Sequence, residues 1–247
     1  MKNKIYSYLF IFFLNFILCS VSFSLDQFNF DVTEIEILEN GNLVKGLKRG
    51  TITTNDGLII NANSFIYNKN SNILEAQGNV QIEDKSKNIK IFADTVVYNK
   101  NDEIVFTNKN SKAIYDVSKI IYADKFKFNK NKNILNAKGN VKAEDISNKY
   151  FIATDELIYF KNEEKIITKG VTNSKIDSKY EIKSKDVVFF PKKNELSSNK
   201  KTEIKDKNSQ VFYLNKFNFL IDNEVLKGEK ILIITNYNLP KSDKFFF

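Results

Sequence analysis

The sequence predicts an all-β chain: a two-sheet, open-ended β-jellyroll wound from hairpin repeats, after an N-terminal signal peptide. Three observations carry that expectation. The aromatic load is heavy, 22 Phe and 11 Tyr in 247 residues with no Trp, and aromatic and β-branched side chains favour a pleated surface. One stretch is written almost twice, as ILEAQGNVQIED from Ile73 to Asp84 and ILNAKGNVKAED from Ile134 to Asp145. Short Asn-Lys turns recur between apolar runs, while the whole chain holds only two Pro and eight Gly, too few for a linker-rich protein.

The first element is an export signal. Lys2 and Lys4 precede the apolar run IYSYLFIFFLNFILCSV, and Ser22 and Ser24 stand at −3 and −1 of a cleavage site before Leu25. Residues 1–24 are therefore expected to be a signal peptide, 25–50 a lead-in with the first strands, and 51–247 the repeat domain. Cys19, the only cysteine, lies inside the signal, and the chain has no His. Cysteine and histidine zinc sites, Ser-His-Asp triads and thiol nucleophiles are excluded together. No second apolar span of about 18 residues follows.

The repeat comes next. Asn63, Asp94, Asp124, Asp155, Asp186 and Asn215 each stand four residues before an aromatic, in NSFIY, DTVVY, DKFKF, DELIY, DVVFF and NKFNF, at intervals of 31, 30, 31, 31 and 29 residues. Each copy begins with a strand whose alternate residues share one face. The pairs are Phe65 and Tyr67, Val96 and Tyr98, Phe126 and Phe128, Leu157 and Tyr159, Val188 and Phe190, and Phe217 and Phe219. A polar turn such as NKNSN or NKNKN follows, because Asn tolerates a left-handed backbone. A second strand closes the hairpin, with Leu74, Ala76, Gly78, Val80 and Ile82 on one face in the clearest copy. Gly46, Gly78, Gly139, Gly170 and Gly228 form a series within these second strands. Glycine inside a strand marks a bulge, a corner or a close approach; here it predicts a corner where the sheet folds over. A propeller needs about four strands per blade, which this period does not supply.

Charge and residue chemistry narrow the function. The formal charge of +8 rests on Lys, with Arg49 the only arginine. No basic helix or nucleic-acid motif occurs, so nucleic acid is not an expected partner. Neither a cofactor nor a metal site is expected. Asp94, Asp124, Asp155 and Asp186 are candidate carboxylates, but one per repeat fits strand starts better than catalysis, and no enzyme is expected.

The repeated A-D-x-x-x-Y-N-K … L-x-A-x-G-N-V-x-I-E-D pattern, at Ala62–Asp84, Ala93–Asp116 and Ala123–Asp145, resembles the OstA family. Those are the periplasmic β-jellyroll domains of the lipopolysaccharide-transport proteins LptA and LptD, with LptC related in fold. The opening from Phe28 looks particularly like the LptD branch. The resemblance implies lipopolysaccharide transport and assembly, with the acyl chains of lipid A in an apolar groove, in the periplasm or at the outer membrane. It implies edge-strand pairing with other Lpt jellyrolls and, if a barrel follows, an LptE-type lipoprotein. No barrel segments follow in this chain, so a truncated LptD-like domain and a stand-alone LptA-like bridge both stay open. A structural β-solenoid of the cell surface is the remaining alternative. The expected groove lining is Phe65, Tyr67, Val96, Tyr98, Phe126, Phe128, Leu157, Tyr159, Val188 and Phe190. Periodicity alone does not separate an open groove from a sealed core.

Overall fold

The computed structural model describes residues 28–235; the expected signal peptide, residues 1–24, lies outside them. The described residues form one antiparallel sheet of 21 strands. In chain order these are β1 (Phe28–Leu38), β2 (Leu43–Thr54), β3 (Leu58–Ala62), β4 (Ser64–Asn68), β5 (Ile73–Asp84), β6 (Ile89–Asn99) and β7 (Ile104–Asn108). Then come β8 (Ser111–Tyr115), β9 (Lys119–Ala123), β10 (Lys125–Asn129), β11 (Ile134–Asp145), β12 (Tyr150–Phe160), β13 (Lys165–Ile176) and β14 (Tyr180–Lys185). The last are β15 (Val188–Phe190), β16 (Glu195–Ser198), β17 (Thr202–Asp206), β18 (Val211–Leu214), β19 (Lys216–Leu220), β20 (Val225–Glu229) and β21 (Leu232–Ile234).

The sheet is folded lengthwise into two leaves. The first half of β1 pairs with the second half of β2, which pairs with β3, and β3 with the second half of β5. This leaf continues through the first half of β6, then β8, β9, the second half of β11, the first half of β12 and the second half of β13, to β14, β17, β18 and β21. The other halves of the long strands form the second leaf with β4, β7, β10, β15, β16, β19 and β20. Every passage from leaf to leaf is a corner. The predicted 30-residue hairpin is thus one zigzag that adds a strand pair to each leaf.

The corners have a physical cause. In β5 the register with β6 shifts between Gln77 and Val80, and in β11 the register with β12 shifts between Lys138 and Val141. Two residues there oppose one, and such a bulge bends and twists the strand. Gly78, Gly139 and Gly170 sit at these points with φ of +77°, +81° and +87°. A side chain would also have no room: a Cβ on Gly139 would run into the Asp124 carboxylate, and one on Gly78 would approach the Asn63 amide. The Asn and Asp anchors turn the chain the other way. The Asn63 N–H donates to the Gly78 carbonyl at 3.0 Å, and the Asp124 N–H to the Gly139 carbonyl at 2.9 Å. Asn140 then donates through its side chain to Asp124 at 3.1 Å.

The glycine series divides in two. Gly46 and Gly228 are not left-handed corner residues; Lys48 and Lys230, two positions later, take that backbone at φ +64° and +53°. The two glycines answer close approach instead. A Cβ on Gly46 would lie 3.1 Å from Val32 Cγ1, and one on Gly228 would lie 2.8 Å from the Lys216 carbonyl. The corner at Lys109 and Asn110, with φ +62° and +47°, has no glycine. There a hydroxyl serves the interrupted ladder: Thr107 and Ser111 bond at 2.6 Å, and Thr107 Oγ1 accepts the Phe126 N–H at 2.8 Å.

Between the leaves lies a tapered core. Small side chains such as Ala62, Ala93, Ala123 and Ala137 are buried beside the corners, and Tyr67, Tyr98, Tyr115 and Phe128 are buried toward the far side. Aromatic rings meet across the interior edge to face, Phe28 on Tyr67 at 4.6 Å, Tyr115 on Tyr159 at 5.2 Å and Tyr180 on Phe219 at 4.9 Å.

One expectation fails here. Val187 and Phe189 are buried, while Val188 and Phe190 face outward. In the other copies the first inward residue stands two positions after the anchor; in the fifth it stands one position after. Asp186 itself is left-handed at φ +50°, and the Val187 N–H turns at once to Thr168 Oγ1 at 2.9 Å. A one-residue slip exchanges the two faces of a strand. Phe190 lies instead under Lys165 and Lys193, 5.8 and 5.2 Å from its ring centre.

Candidate functional site

The interior between the leaves is the chemical feature shared by every copy. Phe65, Tyr67, Val96, Tyr98, Phe126, Phe128, Leu157 and Tyr159 all point into it and are buried. The side opposite the corners is a mouth, where the turns of the first leaf (55–57, 85–88, 116–118, 146–149, 177–179) face those of the second (69–72, 100–103, 130–133, 161–164, 191–194, 221–224). A narrow apolar cleft of about 40 Å³ enters there, lined by Tyr115, Ile121, Tyr150, Tyr159, Ile166 and Phe189 among others. At each end of the wound sheet the interior opens more widely. Phe28, Phe30, Ile37 and Tyr67 border a hollow of about 370 Å³ at one end, and Tyr180, Phe212 and Phe219 one of about 290 Å³ at the other.

The second-leaf turns follow one plan. Each has a left-handed residue: Asn72, Glu103, Asn133, Glu164, Asn194 and Glu224. An inward tyrosine five residues earlier donates to it in three copies: Tyr67 to Asn72 at 3.0 Å, Tyr98 to Glu103 at 2.6 Å and Tyr159 to Glu164 at 3.3 Å. Burial, followed by the neighbouring carboxylate, raises the Tyr98 and Tyr159 hydroxyls well above the ordinary phenol range, so both remain donors. In the copy that carries Phe128 no hydroxyl is available, and Asn133 Oδ1 is buried without a hydrogen-bond partner.

Two residues after the last inward aromatic of four successive copies stands a lysine: Lys69, Lys100, Lys130 and Lys161. Their N–H groups form one ladder, donating to the carbonyls of Asn42, Asn72, Glu103 and Asn133. The side chains of three reach across the mouth. Lys100 meets Asp56 at 3.3 Å and Glu103 at 2.5 Å. Lys130 pairs with Asp56 and lies 3.1 Å from Glu103, with its side chain only 6% exposed. Lys161 donates to the Lys87 carbonyl and lies 4.0 Å from Asp116. Burial alone would raise the Asp56 and Glu103 carboxyls, but the lysine hydrogen bonds and charges outweigh it and hold both below the usual carboxylate range. Burial pulls Lys130 down; Asp56 and Glu103 more than restore it, so it is raised and stays cationic. Further along, Lys119 meets Glu164 at 3.5 Å and the Tyr150 hydroxyl donates to Asn194 at 2.9 Å.

The four candidate carboxylates do not converge. Asp94 takes a hydrogen bond from Asn110 at 2.9 Å, Asp124 from Asn140, and Asp186 from the Gly170 N–H at 3.0 Å; Asp155 packs against Gly170. All belong to corners, on the side away from the mouth. Among the described residues no group of three metal-ligating side chains occurs. The mouth residues Asp56, Lys100, Glu103, Lys130 and Asn133 were not expected from the sequence. Their signal was present in the lysine that recurs after Tyr-Asn or Phe-Asn, which reads as ordinary turn polarity.

Fold and site together define an elongated two-leaved β-jellyroll with an apolar interior running between two open ends. Residues 28–134 match the family model described as OstA-like protein, a little under half of the chain. Among solved structures, the chain is similar to LptH, the LptA homologous periplasmic component of the conserved lipopolysaccharide transport device from Pseudomonas aeruginosa. There the identity is 15%, the match covers 45% of this chain and 82% of that one, and the TM-score is 0.42. No curated protein matches the chain.

Proposed function

We propose that this chain is a periplasmic lipopolysaccharide-transport protein whose folded sheet guides acyl chains along its interior. The observation that carries the reading is the apolar interior between the leaves, with a cleft at the mouth beside Tyr115 and Tyr159 and a wider hollow at each end of the described sheet. Removing acyl methylenes from water is worth about 0.8 kcal/mol each, so a trough lined by Phe, Tyr, Leu and Val holds a lipid without any directional bond. The OstA-like match of residues 28–134 supports the same reading.

Both ends also suit assembly with like domains. Among the described residues β1 pairs only with β2, and β20 only with β19. Exposed Ile35 and Ile37 lie on one terminal edge and Val225 and Leu232 at the other. Unpaired edges accept a further strand, so a neighbouring Lpt jellyroll would extend the trough. The finer reading is the periplasmic domain of an LptD-like protein, which would use an LptE-type lipoprotein at the outer membrane. The stand-alone LptA-like bridge is the alternative, and a stop codon directly after Phe247 beside a separate full-length LptD gene would select it.

Photo-crosslinking tests the trough. A photoreactive side chain at Tyr98 or Phe126 is expected to form lipopolysaccharide adducts in cells, and one at outward Lys125 or Lys127 is not. Adducts confined to the two outward positions would refute the reading, and a surface solenoid would give none at all.

A further inference from the structure

We infer that Lys100 and Lys130, in the row Lys69–Lys100–Lys130–Lys161, form a binding site for the phosphate group of an amphiphile whose chains occupy the trough. Asp56 holds that place while the mouth is shut. The inference rests on the trough reading, and goes beyond it in assigning the charged end of the ligand to particular residues.

Charge balance carries it. In the closed mouth two lysines face two carboxylates, Asp56 and Glu103. Lys100, Lys130 and Glu103 all belong to turns of the second leaf, whereas Asp56 belongs to a turn of the first. Any opening wide enough to admit a lipid separates the leaves at this point and withdraws Asp56. One carboxylate then remains for two ammonium groups. The excess positive charge at the lip of an apolar interior draws an anion to it. A phosphate on the entering amphiphile supplies the missing charge and more acceptors than the carboxylate it replaces. Asn133, three residues from Lys130 in the same turn, brings a buried carbonyl oxygen that no group among the described residues satisfies, suited to a hydroxyl or amide of the same headgroup. Asp56 is well placed to yield: its side chain is 43% exposed, at the tip of a short turn, while Lys130 is anchored beneath it. Successive lysines of the row are two strands apart, about 9.5 Å along the mouth, so a phosphate leaving one pair meets the next.

The test uses the full chain, with diphosphorylated lipid A and its phosphate-free form as probes. Wild type is expected to bind the phosphorylated form about tenfold more tightly. Lys130→Met should abolish that preference. Lys100→Met, at a more exposed position, should lower it several-fold and serves if Lys130→Met does not fold. Asp56→Asn should tighten the phosphorylated form by removing its competitor. Equal binding of both lipids by wild type would overturn the lysine site and leave the trough standing; no binding of either would overturn both. Full competition by millimolar inorganic phosphate would reassign the site to free phosphate and overturn the lipid assignment.

Discussion

The corner and the mouth are the two long sides of one folded sheet, and they are built from opposite kinds of contact. Corner partners are close in sequence: Asn140 and Asp124 are 16 residues apart, as are Gly170 and Asp186. Their bonds join short side chains to each other or to the backbone. The partners that join leaf to leaf across the mouth are distant: Lys100 and Asp56 are 44 residues apart, and Lys130 and Asp56 are 74. They are long charged side chains that meet only once several zigzags have been wound. The corner is therefore a repeated local instruction, whereas the mouth is a consequence of winding. A side held by backbone geometry is a hinge line; one held by exchangeable charges is where the structure can part.

The largest test of this contrast concerns which residues fill the space between the two sides. Phe189→Ala should cost about 4 kcal/mol, the range for emptying a buried aromatic site. Phe190→Ala should cost less than about 1 kcal/mol, by urea denaturation of both variants. Equal losses would return the fifth copy to the face pattern expected from the sequence. Next comes the corner. Gly139→Ala combines a left-handed backbone with the Asp124 collision and should cost about 3 kcal/mol. Gly57→Ala, with φ +84° and open space around its Cβ, should cost about 1 kcal/mol. The gap should narrow when Asp124→Ala accompanies Gly139→Ala.

Changes at the mouth are smaller. Phe128→Tyr should stabilise by about 1 kcal/mol, by giving Asn133 Oδ1 the hydroxyl its counterparts receive; an unchanged melting temperature would show that the ring cannot reach. The smallest effect is acid sensitivity. Asp56 and Glu103 have lowered pKa values when folded. Their contribution is complete above the unfolded carboxylate range near pH 4 and is lost as pH falls below it. Screening at half-exposed Asp56 limits this to about 1 kcal/mol. The double variant Asp56→Asn, Glu103→Gln should flatten the stability profile between about pH 4 and pH 2.

What the sequence made legible follows the same division. The 31-residue interval, the anchors and the corner glycines at 78, 139 and 170 were readable because each is set within a few residues of itself. Of the ten residues expected to line a groove, eight share the buried face, as period-two alternation implies. Val188 and Phe190 were misplaced because alternation is blind to a single left-handed residue, and Asp186 gives no warning that it turns where Asp155 does not. Gly46 and Gly228 share the repeat position of the corner glycines, but a repeat position does not reveal backbone sign; Lys48, Lys109 and Lys230 take the left-handed role without a glycine to announce it. The charged partners across the mouth were hidden for a simpler reason: no local pattern encodes a pairing of residues 74 positions apart.

The near-duplicate strands β5 and β11 have a consequence for the dimensions of the protein. Each zigzag adds one strand pair to each leaf and closes on its own corner, so a whole zigzag can be gained or lost without disturbing the register of the rest. Tandem duplication of about 31 codons would lengthen the particle by about 9.5 Å. The length of such a protein is thus a heritable quantity that changes in equal steps, by copying units rather than by redesigning them.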